Sequence, residues 1–320
     1  MHRYLRKSFS SVIVNNRDLF NFWYKVHRKS IFRAMSTSDT KDTILQASES
    51  WFAKYKNAPE VPDGIFRGVI DRFNGVTVDS NMEECDDSQF EGKLKDSLAF
   101  WKEANRRGVW FKVHLSKASW VPVLAKHNFD FHHAKEGFVM MCTWLANEPM
   151  GIPPFAHTMV GVGAVVVNDK QQVLVVSEKN ALVTNSWKLP GGYLERKENI
   201  VDAGIREVQE ETNIQTTFET LLAIRHAHGA GFGCSDLYVV MALNPQTTEI
   251  TKCEREIAKC VWMDIEEFLQ HPNVHETNRS FMRLYLNYKK NGVKIVCRED
   301  VHQILKKKYN IFEVETTEKE

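Results

Sequence analysis

The chain has 320 residues, of which 43% are hydrophobic and 26% are charged, and its formal net charge is +1. This composition is typical of a globular chain long enough for two domains, and it excludes fibrous, collagen-like and fully disordered classes. No stretch approaches the ~18 to 20 apolar residues of a transmembrane helix, so the sequence predicts no membrane partner. Six cysteines without a two-residue spacing indicate neither a zinc knuckle nor a disulfide scaffold, which favours a reducing compartment.

The first 35 residues carry a strong positive charge, with eight Lys or Arg against Asp18 alone. The remainder is mildly acidic and has no basic stripe with interleaved aromatics, which disfavours nucleic acid as a partner. A basic leader over residues 1–45 that also holds Ser8, Ser10 and Ser11 is typical of a transit peptide and predicts mitochondrial import. The alternatives are a disordered basic tail, or an extension before a second start at Met35, either of which leaves the protein cytoplasmic or nuclear.

Residues 51–146 are predicted to form an α/β domain. In chain order we expect two strands within 66–78 around the turn at Asn74 and Gly75, a helix over 89–106 and a strand over 108–115. A helix capped by Ser116 then runs to residue 126, and 131–145 again resembles a strand. Residues 147–154 contain Pro149, Pro153 and Pro154, which break helix and strand, and this predicts a domain linker.

A second domain is predicted over residues 155–300, with a charged C-terminal tail over 301–320. Strands are expected over 159–167, 173–177, 221–228, 237–243 and 258–263, and helices over 200–212, 265–270 and 278–290. Strands with a helix inserted among them are typical of the α+β class with sandwich packing.

The helix over 200–212 carries the most informative pattern in the chain. Glu207, Glu210 and Glu211 stand at i, i+3 and i+4, so their carboxylates project from one face within a turn. Like charges at these spacings repel, and a hard divalent cation such as Mg²⁺ suits an all-carboxylate set. The alternative interpretation is a solvated acidic helix face, as on many exposed helices.

The wider spacing resembles the Nudix box: Gly192, five residues, Glu198, seven residues, Arg206-Glu207, an aliphatic residue, any residue, then Glu210-Glu211. The one departure is Asn213, where the family has glycine, and Asn is the next best residue for a left-handed helix end. Glu198 and Arg206 are expected to pair and to hold the preceding turn against the helix. Gly204, inside the helix, is expected to allow close packing.

Flanking segments resemble a Nudix subgroup that contains the fibroblast growth factor 2 antisense Nudix proteins and plant ADP-ribose/NADH pyrophosphatases. The matching motifs are FHHA (131–134), WL (144–145), GVGAV (161–165), WKLPGG (187–192), SDLY (235–238) and the segment 256–262. The resemblance implies a Nudix α/β/α sandwich preceded by a smaller acetyltransferase-like α/β domain, and a homodimer. It also implies hydrolysis of a nucleoside diphosphate linked to another moiety, with ADP-ribose or NADH as the small-molecule substrate and Mg²⁺ or Mn²⁺ as cofactor.

The resemblance assigns roles to particular residues. The metal ligands are expected to be Glu207, Glu210, Glu211 and Glu198; the catalytic residues Glu207, Glu210, Glu211 and Arg206; and the substrate-binding residues Gly191, Gly192 and Trp187. A second hypothesis is a nucleotide-binding regulatory protein with little or no turnover. A third, acyl transfer by the first domain, is disfavoured because residues 60–150 contain no glycine-rich turn to hold a coenzyme A pyrophosphate.

Two weaker signals lie outside the box. His132 and His133 are adjacent on a predicted strand, so they are expected to point to opposite faces, with a structural role. Glu254 and Glu256 precede a predicted strand, where a solvated loop is favoured over an auxiliary catalytic role.

Overall fold

The computed structural model describes Ala58 and residues 60–181, 183–229 and 231–315. The chain divides into two compact units between Phe155 and Ala156, one residue after the segment 147–154 that was predicted as a linker. The predicted leader over 1–45 lies outside the described residues. Within the described ranges, no helix has the length and apolar character needed to cross a membrane.

The described part of the first unit forms a five-stranded mixed sheet with two helices. Its strands lie in the order β1-β2-β3-β5-β4, with β2 and β3 parallel and the other neighbours antiparallel. The elements are β1 (Val69–Ile70), β2 (Val76–Asp79), α1 (Asp87–Glu103), β3 (Gly108–His114), α2 (Trp120–Lys126), β4 (Asp130–Lys135) and β5 (Phe138–Trp144).

Both helices pack on one face of this sheet, because alternate residues of β3 point to it. Val109, Phe111 and Val113 form a core with residues of α1 and α2, including Phe90 and Trp120, whose rings stack with centroids 4.2 Å apart. The predicted strands around Asn74 are confirmed, and Asn74 takes a left-handed conformation with φ 62°. Residues 131–145 form a hairpin of two strands because Gly137, with φ 84°, reverses the chain.

The predicted cap at Ser116 is wrong. Residues Leu115–Lys117 form a 3₁₀ turn, and α2 begins only at Trp120 after Ser119. Pro122 accounts for the delay, since proline lacks an N–H and is tolerated only in the first turn of a helix. The Ser116 hydroxyl instead contacts Oδ1 of Asn81 at 3.2 Å.

The expectation that His132 and His133 point to opposite faces is also wrong. A bulge lies between Phe131 and His133, where the register of β4 on β5 shifts. A bulge breaks the strict alternation of side chains, and the two Nδ1 atoms lie 2.7 Å apart. His133 stacks on Phe155, with centroids 4.6 Å apart, which is consistent with a structural role.

The described residues of the second unit form seven strands and three helices. They are β6 (Thr158–Val166), β7 (Gln172–Glu178), α3 (Ile200–Thr212), β8 (Thr216–Ala227), β9 (Ser235–Pro245), β10 (Ile257–Asp264), α4 (Ile265–Gln270), α5 (Glu276–Asn291), β11 (Ile295–Val301) and β12 (Lys308–Val314). Strand β9 lies between β6, to which it is parallel, and β8, to which it is antiparallel; β7 pairs with β10 and β11 with β12.

Side chains alternate between two cores on the faces of the central strands. On β9, Val239 and Met241 pack with α3, whereas Val240 and Ala242 pack with α5. Period-two alternation of this kind buries both faces of a sheet between helices. The predicted α+β class is confirmed by this helix–sheet–helix arrangement, while the acetyltransferase-like nature of the first unit stays a prediction.

The charged segment predicted as a tail over 301–320 contains an ordered strand in its described part. Strand β12 pairs along its whole length with β11, from Ile295↔Val314 to Val301↔Lys308. Opposite charges pair diagonally across this hairpin, as in the ion pairs Arg298–Glu313 and Lys308–Glu299. The charges that suggested a tail therefore stabilise strand pairing.

Candidate active site

A glycine-containing loop between β7 and α3 is fixed to the sheet by backbone hydrogen bonds on both sides. Lys188 exchanges two bonds with Val176 of β7, at 2.9 and 3.0 Å. Further along, the N–H of Val162 donates to the carbonyl of Gly192 at 2.8 Å, and that of Ala164 to the carbonyl of Pro190 at 3.0 Å. The loop is thus held like a short strand between β6 and β7.

Gly191 is required by both conformation and space. Its φ is 154°, and a Cβ atom there would lie 2.1 Å from the carbonyl oxygen of Val162 and 2.8 Å from Cα of Gly163. At Gly192 the neighbour is a functional group: a Cβ would lie 2.6 Å from Oε1 of Glu207. The absence of side chains therefore lets the Glu207 carboxylate lie directly against the loop.

The helix that carries the acidic residues is α3, and its bounds agree with the sequence prediction. Asn199 occupies the N-cap position, but its side chain donates to Asp202 at 2.8 Å and does not accept from the backbone. The helix ends at Asn213 in a left-handed conformation with φ 61°. Gly204 lies where a Cβ would be 2.5 Å from Sδ of Met241 on β9, which confirms close packing.

The C-terminal carbonyls of α3 accept hydrogen bonds from a separate segment of the chain. The N–H of Thr251 donates to the carbonyl of Thr212, and that of Cys253 to the carbonyl of Glu211, both at 3.0 Å. These bonds satisfy acceptors that a helix end otherwise leaves to solvent.

Arg206 pairs with Glu198, as the sequence predicted. Its Nε donates to Oε1 of Glu198 at 2.7 Å and one Nη to Oε2 at 2.9 Å, which is a bidentate fork. The same side chain donates to the carbonyl of Tyr193 at 3.1 Å, so it ties the loop to the helix. The fork raises the pKa of Arg206 and lowers that of Glu198.

Arg206 also contacts two of the predicted metal ligands. It donates to Oε1 of Glu207 at 2.9 Å and to Oε2 of Glu210 at 3.2 Å. Burial raises the pKa of Glu207, and Arg206 opposes this shift. Glu210, in contrast, leaves 61% of its side chain exposed.

Glu211 is the most buried of the acidic residues at this site, with 5% exposure. Its Oε2 accepts a hydrogen bond from the N–H of Gly191 at 3.0 Å. Burial raises the pKa of Glu211 to about 7, and the nearby Lys188 ammonium opposes this shift. Glu207 and Glu211 are thus brought together against Gly191 and Gly192, while Glu210 lies outside them and Glu198 is engaged by Arg206.

The residues present have the chemistry of a hard-cation site, although their side chains are not arranged around one. In the described part of the chain, no three acidic, His or Cys side chains are grouped so that they could hold a metal ion. Five carboxylates nevertheless share the site with two cationic side chains, and carboxylate oxygens are the donors that Mg²⁺ prefers. They are Glu178, Glu198, Glu207, Glu210 and Glu211, against Lys188 and Arg206. Such an excess of negative charge fits a divalent cation.

Two residues at this site, Lys188 and Tyr238, were not predicted from the sequence as site residues. Lys188 pairs with Glu178 and contacts the carbonyl of Gly191 at 3.3 Å. Tyr238 lies over Gly161 and Gly163 of the neighbouring strand, where a Cβ on Gly163 would be 2.3 Å from its hydroxyl. Burial raises the pKa of Tyr238, and Glu211 adds to this shift. The sequence signal for this contact was the pair Gly161 and Gly163, which stand on the same face of one strand and leave room for a large side chain.

The remaining predicted residues lie away from the acidic cluster or are solvated. The Trp187 side chain packs against the core on the α5 side, and its backbone N–H donates to the carbonyl of Asn273 at 2.9 Å. Its role in substrate binding stays a prediction. Glu254 and Glu256 leave 80% and 54% of their side chains exposed and pair with Lys252 and Arg255, as expected of a solvated loop.

Comparison with known proteins gives matches for both units. A family model described as a NUDIX domain matches residues 157–285, and one described as a Nudix hydrolase domain matches residues 66–145. Nudix hydrolase 8 of Arabidopsis thaliana is 37% identical over 207 residues, which is 64% of this chain and 56% of that protein.

The chain matches a larger share of the length of two further relatives than it does of Nudix hydrolase 8. Nudix hydrolase 2 of Arabidopsis thaliana is 37% identical, with 64% of this chain and 74% of that protein covered. Nucleoside diphosphate-linked moiety X motif 6 of Homo sapiens is 33% identical, with 72% of this chain and 75% of that protein covered. The chain therefore belongs to the Nudix hydrolase family. Family membership assigns it to the enzymes of the pyrophosphohydrolase class.

Proposed function

We propose that the protein hydrolyses the pyrophosphate bond of a nucleoside diphosphate linked to another moiety, with ADP-ribose or NADH as substrate. The observation that carries the proposal is the position of the half-buried Glu207 and the buried Glu211, whose carboxylates are held against Gly192 and Gly191. The name of the human relative, which refers to a nucleoside diphosphate-linked moiety, agrees with this substrate class.

In this proposal Glu207, Glu210 and Glu211 hold Mg²⁺ or Mn²⁺, with Glu198 as a further ligand or as the residue that positions Arg206. A divalent cation held there would neutralise the diphosphate and lower the pKa of an attacking water. Binding requires Glu207 and Glu210 to exchange their contacts with Arg206 for contacts with the cation. Glu211 needs no such exchange, because its Oε1 is not engaged by Gly191.

The chain's own residues then have distinct roles. One carboxylate of the trio accepts a proton from the attacking water as its oxygen bonds to one phosphorus, and the bridging oxygen leaves with the other phosphate. Gly191 and Gly192 allow the diphosphate to approach the backbone, and Trp187 contacts the base. Arg206 keeps the loop on the helix through Glu198 and the carbonyl of Tyr193. We further propose a homodimer and mitochondrial import.

A nucleotide panel tests the proposal. ADP-ribose, NADH, FAD, coenzyme A, capped RNA and dinucleoside polyphosphates are incubated with the protein and Mg²⁺ or Mn²⁺, and products are separated by chromatography. We expect AMP and ribose 5-phosphate from ADP-ribose, or AMP and the reduced nicotinamide mononucleotide from NADH. Tight binding of these nucleotides without turnover would instead support the regulatory alternative.

A further inference from the structure

The two described helices of the first unit leave one face of its sheet uncovered. Residues directly opposite each other on neighbouring strands share a face. Gly108 lies opposite Trp144, and Trp110 lies opposite Cys142, so the two indoles belong to the face away from the core formed by Val109, Phe111 and Val113.

A pocket of about 290 Å³ opens on this face. Three aromatic residues line it, namely Trp110, Trp144 and Phe73, whose ring is 60% exposed. The segment that follows β5 closes one side with Gly151, Ile152 and Pro153. A size near 300 Å³ and an aromatic lining are typical of a small-molecule site.

Two glycines create the space between these side chains. Gly108 stands on the same face as the indoles, and a Cβ there would lie 3.3 Å from Nε1 of Trp110 and 3.6 Å from Cδ1 of Ile152. A Cβ on Gly75 would lie 2.7 Å from Oδ2 of Asp71 and 3.1 Å from the carbonyl oxygen of Gly108. Any side chain at either position would reduce the pocket.

Asp71 supplies a hydrogen-bond acceptor inside the pocket. Its Oδ1 accepts from the N–H groups of Phe73 and Gly75, at 2.8 and 2.9 Å, which fixes the carboxylate. Its Oδ2 has no donor among the described residues, so it is available to an amino group of a ligand. An immobilised acceptor among aromatic side chains suits a nucleobase that carries an amino group.

A second cavity of about 610 Å³ adjoins the first and shares Arg107 with it. Its cationic groups are Lys102, Arg106 and Arg107, and its one acidic group is Glu148, which pairs with Nε of Arg107 at 2.5 Å. Lys102 makes no ion pair with any described residue. The cavity therefore retains positive charge, and a phosphate group would be attracted to it.

We propose that this face of the first unit binds a purine nucleoside 5′-monophosphate. The base lies in the aromatic pocket with its amino group on Asp71, and the phosphate lies in the adjoining cavity near Lys102 and Arg106. The site is separate from the acidic cluster of the second unit, and it does not depend on the proposed hydrolysis.

The test measures binding to the full chain by calorimetry, with EDTA present so that metal-dependent binding is removed. The ligands are GMP, IMP, which lacks the amino group of GMP, and guanosine, which lacks the phosphate. We expect GMP to bind ~10-fold tighter than either, because a hydrogen bond to a charged group is worth about that ratio. Trimethyllysine serves as a probe for the alternative in which the aromatic residues bind a cation.

Three variants separate this site from any other. Asp71→Asn keeps the acceptor for the two backbone N–H groups but replaces Oδ2 with an NH2 group, which cannot accept a hydrogen bond. It should therefore remove the preference for GMP over IMP. Lys102→Gln should weaken the binding of GMP several-fold and leave the binding of guanosine unchanged, since it removes a cationic partner of the phosphate. Lys135→Gln, on exposed β4, is the control and should alter neither affinity.

Three outcomes would overturn the proposal. One is the absence of GMP binding at millimolar concentration. Another is GMP binding that Asp71→Asn and Lys102→Gln both leave unchanged, which would place the nucleotide elsewhere. The third is binding of trimethyllysine in preference to GMP.

Discussion

The carboxylate of Glu211 and the backbone N–H of Gly191 are joined by a 3.0 Å hydrogen bond across 20 residues of sequence. This bond connects the helix that carries the acidic residues to the loop that is fixed on the sheet. It places a buried carboxyl group beside the backbone that a diphosphate would approach, and the excess of carboxylates around it favours a cation at the same point.

The first prediction concerns the acidic trio. Glu210→Gln should lower turnover by at least ~10²-fold with little change in thermal stability, because the amide keeps the shape but loses the charge that holds the cation. Glu267→Gln, on the exposed side of α4, is the matched control and should retain full activity. Initial rates at saturating Mg²⁺ measure the effect, and unchanged turnover in Glu210→Gln would refute the metal role.

The second prediction concerns the fork between Arg206 and Glu198. Arg206→Lys keeps the charge but cannot make the bidentate contact or reach the Tyr193 carbonyl as well, and it should lower the free energy of unfolding by about 1–3 kcal/mol. Arg298→Lys removes a similar pair of carboxylate contacts at a side chain that is 49% exposed, and it should cost clearly less stability than Arg206→Lys because solvent screens those contacts. Equal losses in urea unfolding of the two variants would contradict a positioning role for Arg206.

The third prediction separates the two loop glycines. Gly191→Ala should destabilise the second unit strongly, because its Cβ would meet the backbone carbonyl of Val162 at 2.1 Å. Gly192→Ala should mainly lower activity, since its Cβ would displace the carboxylate of Glu207. Gly92→Ala, in α1 with nothing within 4 Å, is the control and should add up to ~1 kcal/mol of stability. The melting temperature and the rate are measured for each variant.

The fourth prediction tests the contact between Gly204 and Met241. Alanine is the better helix former by about 1 kcal/mol, yet Gly204→Ala should destabilise the protein because its Cβ would lie 2.5 Å from the buried Met241 sulfur. Adding Met241→Ala should recover stability relative to the sum of the single changes, since it removes the sulfur that the added Cβ at position 204 would meet, and that Cβ fills part of the space left. Additive effects in denaturant unfolding would exclude a direct clash.

The fifth prediction concerns the departure from the box at Asn213. Asn213→Gly should leave stability within about 0.5–1 kcal/mol and activity unchanged, because both residues adopt the left-handed conformation found there. Asn213→Val should destabilise by a larger amount, since a β-branched residue resists positive φ. A loss of activity in Asn213→Gly without a loss of stability would assign the Asn side chain a further role.

The sequence predicts an element well when the local pattern of polar and apolar residues matches the burial of that element in the fold. Helix α3 could be predicted because its caps, its apolar side and its acidic face have helical spacing. Strand β8 was predicted to begin at residue 221 but begins at Thr216, because the stretch 216–220 is rich in threonine and contains a bulge that disturbs its alternation. Strand β12 was missed because charges that pair across a hairpin have the same composition as a solvated tail.

At the candidate site, local spacing found the groups on one helix but not those that come from other strands. The pair of Glu198 and Arg206 lies eight residues apart and could be predicted. Lys188, Glu178 and Tyr238 reach the same place only through pairing of β6, β7 and β9, which a single sequence does not encode in a local pattern. The bulge at His132 was missed for the same reason.

Arg206 ties the middle of helix α3 to the preceding loop, and the bonds from Thr251 and Cys253 hold its last carbonyls. These contacts oppose sliding or tilting of the helix axis. We therefore expect a divalent cation to be accommodated at the acidic cluster through side-chain rotamers, with little displacement of the main chain.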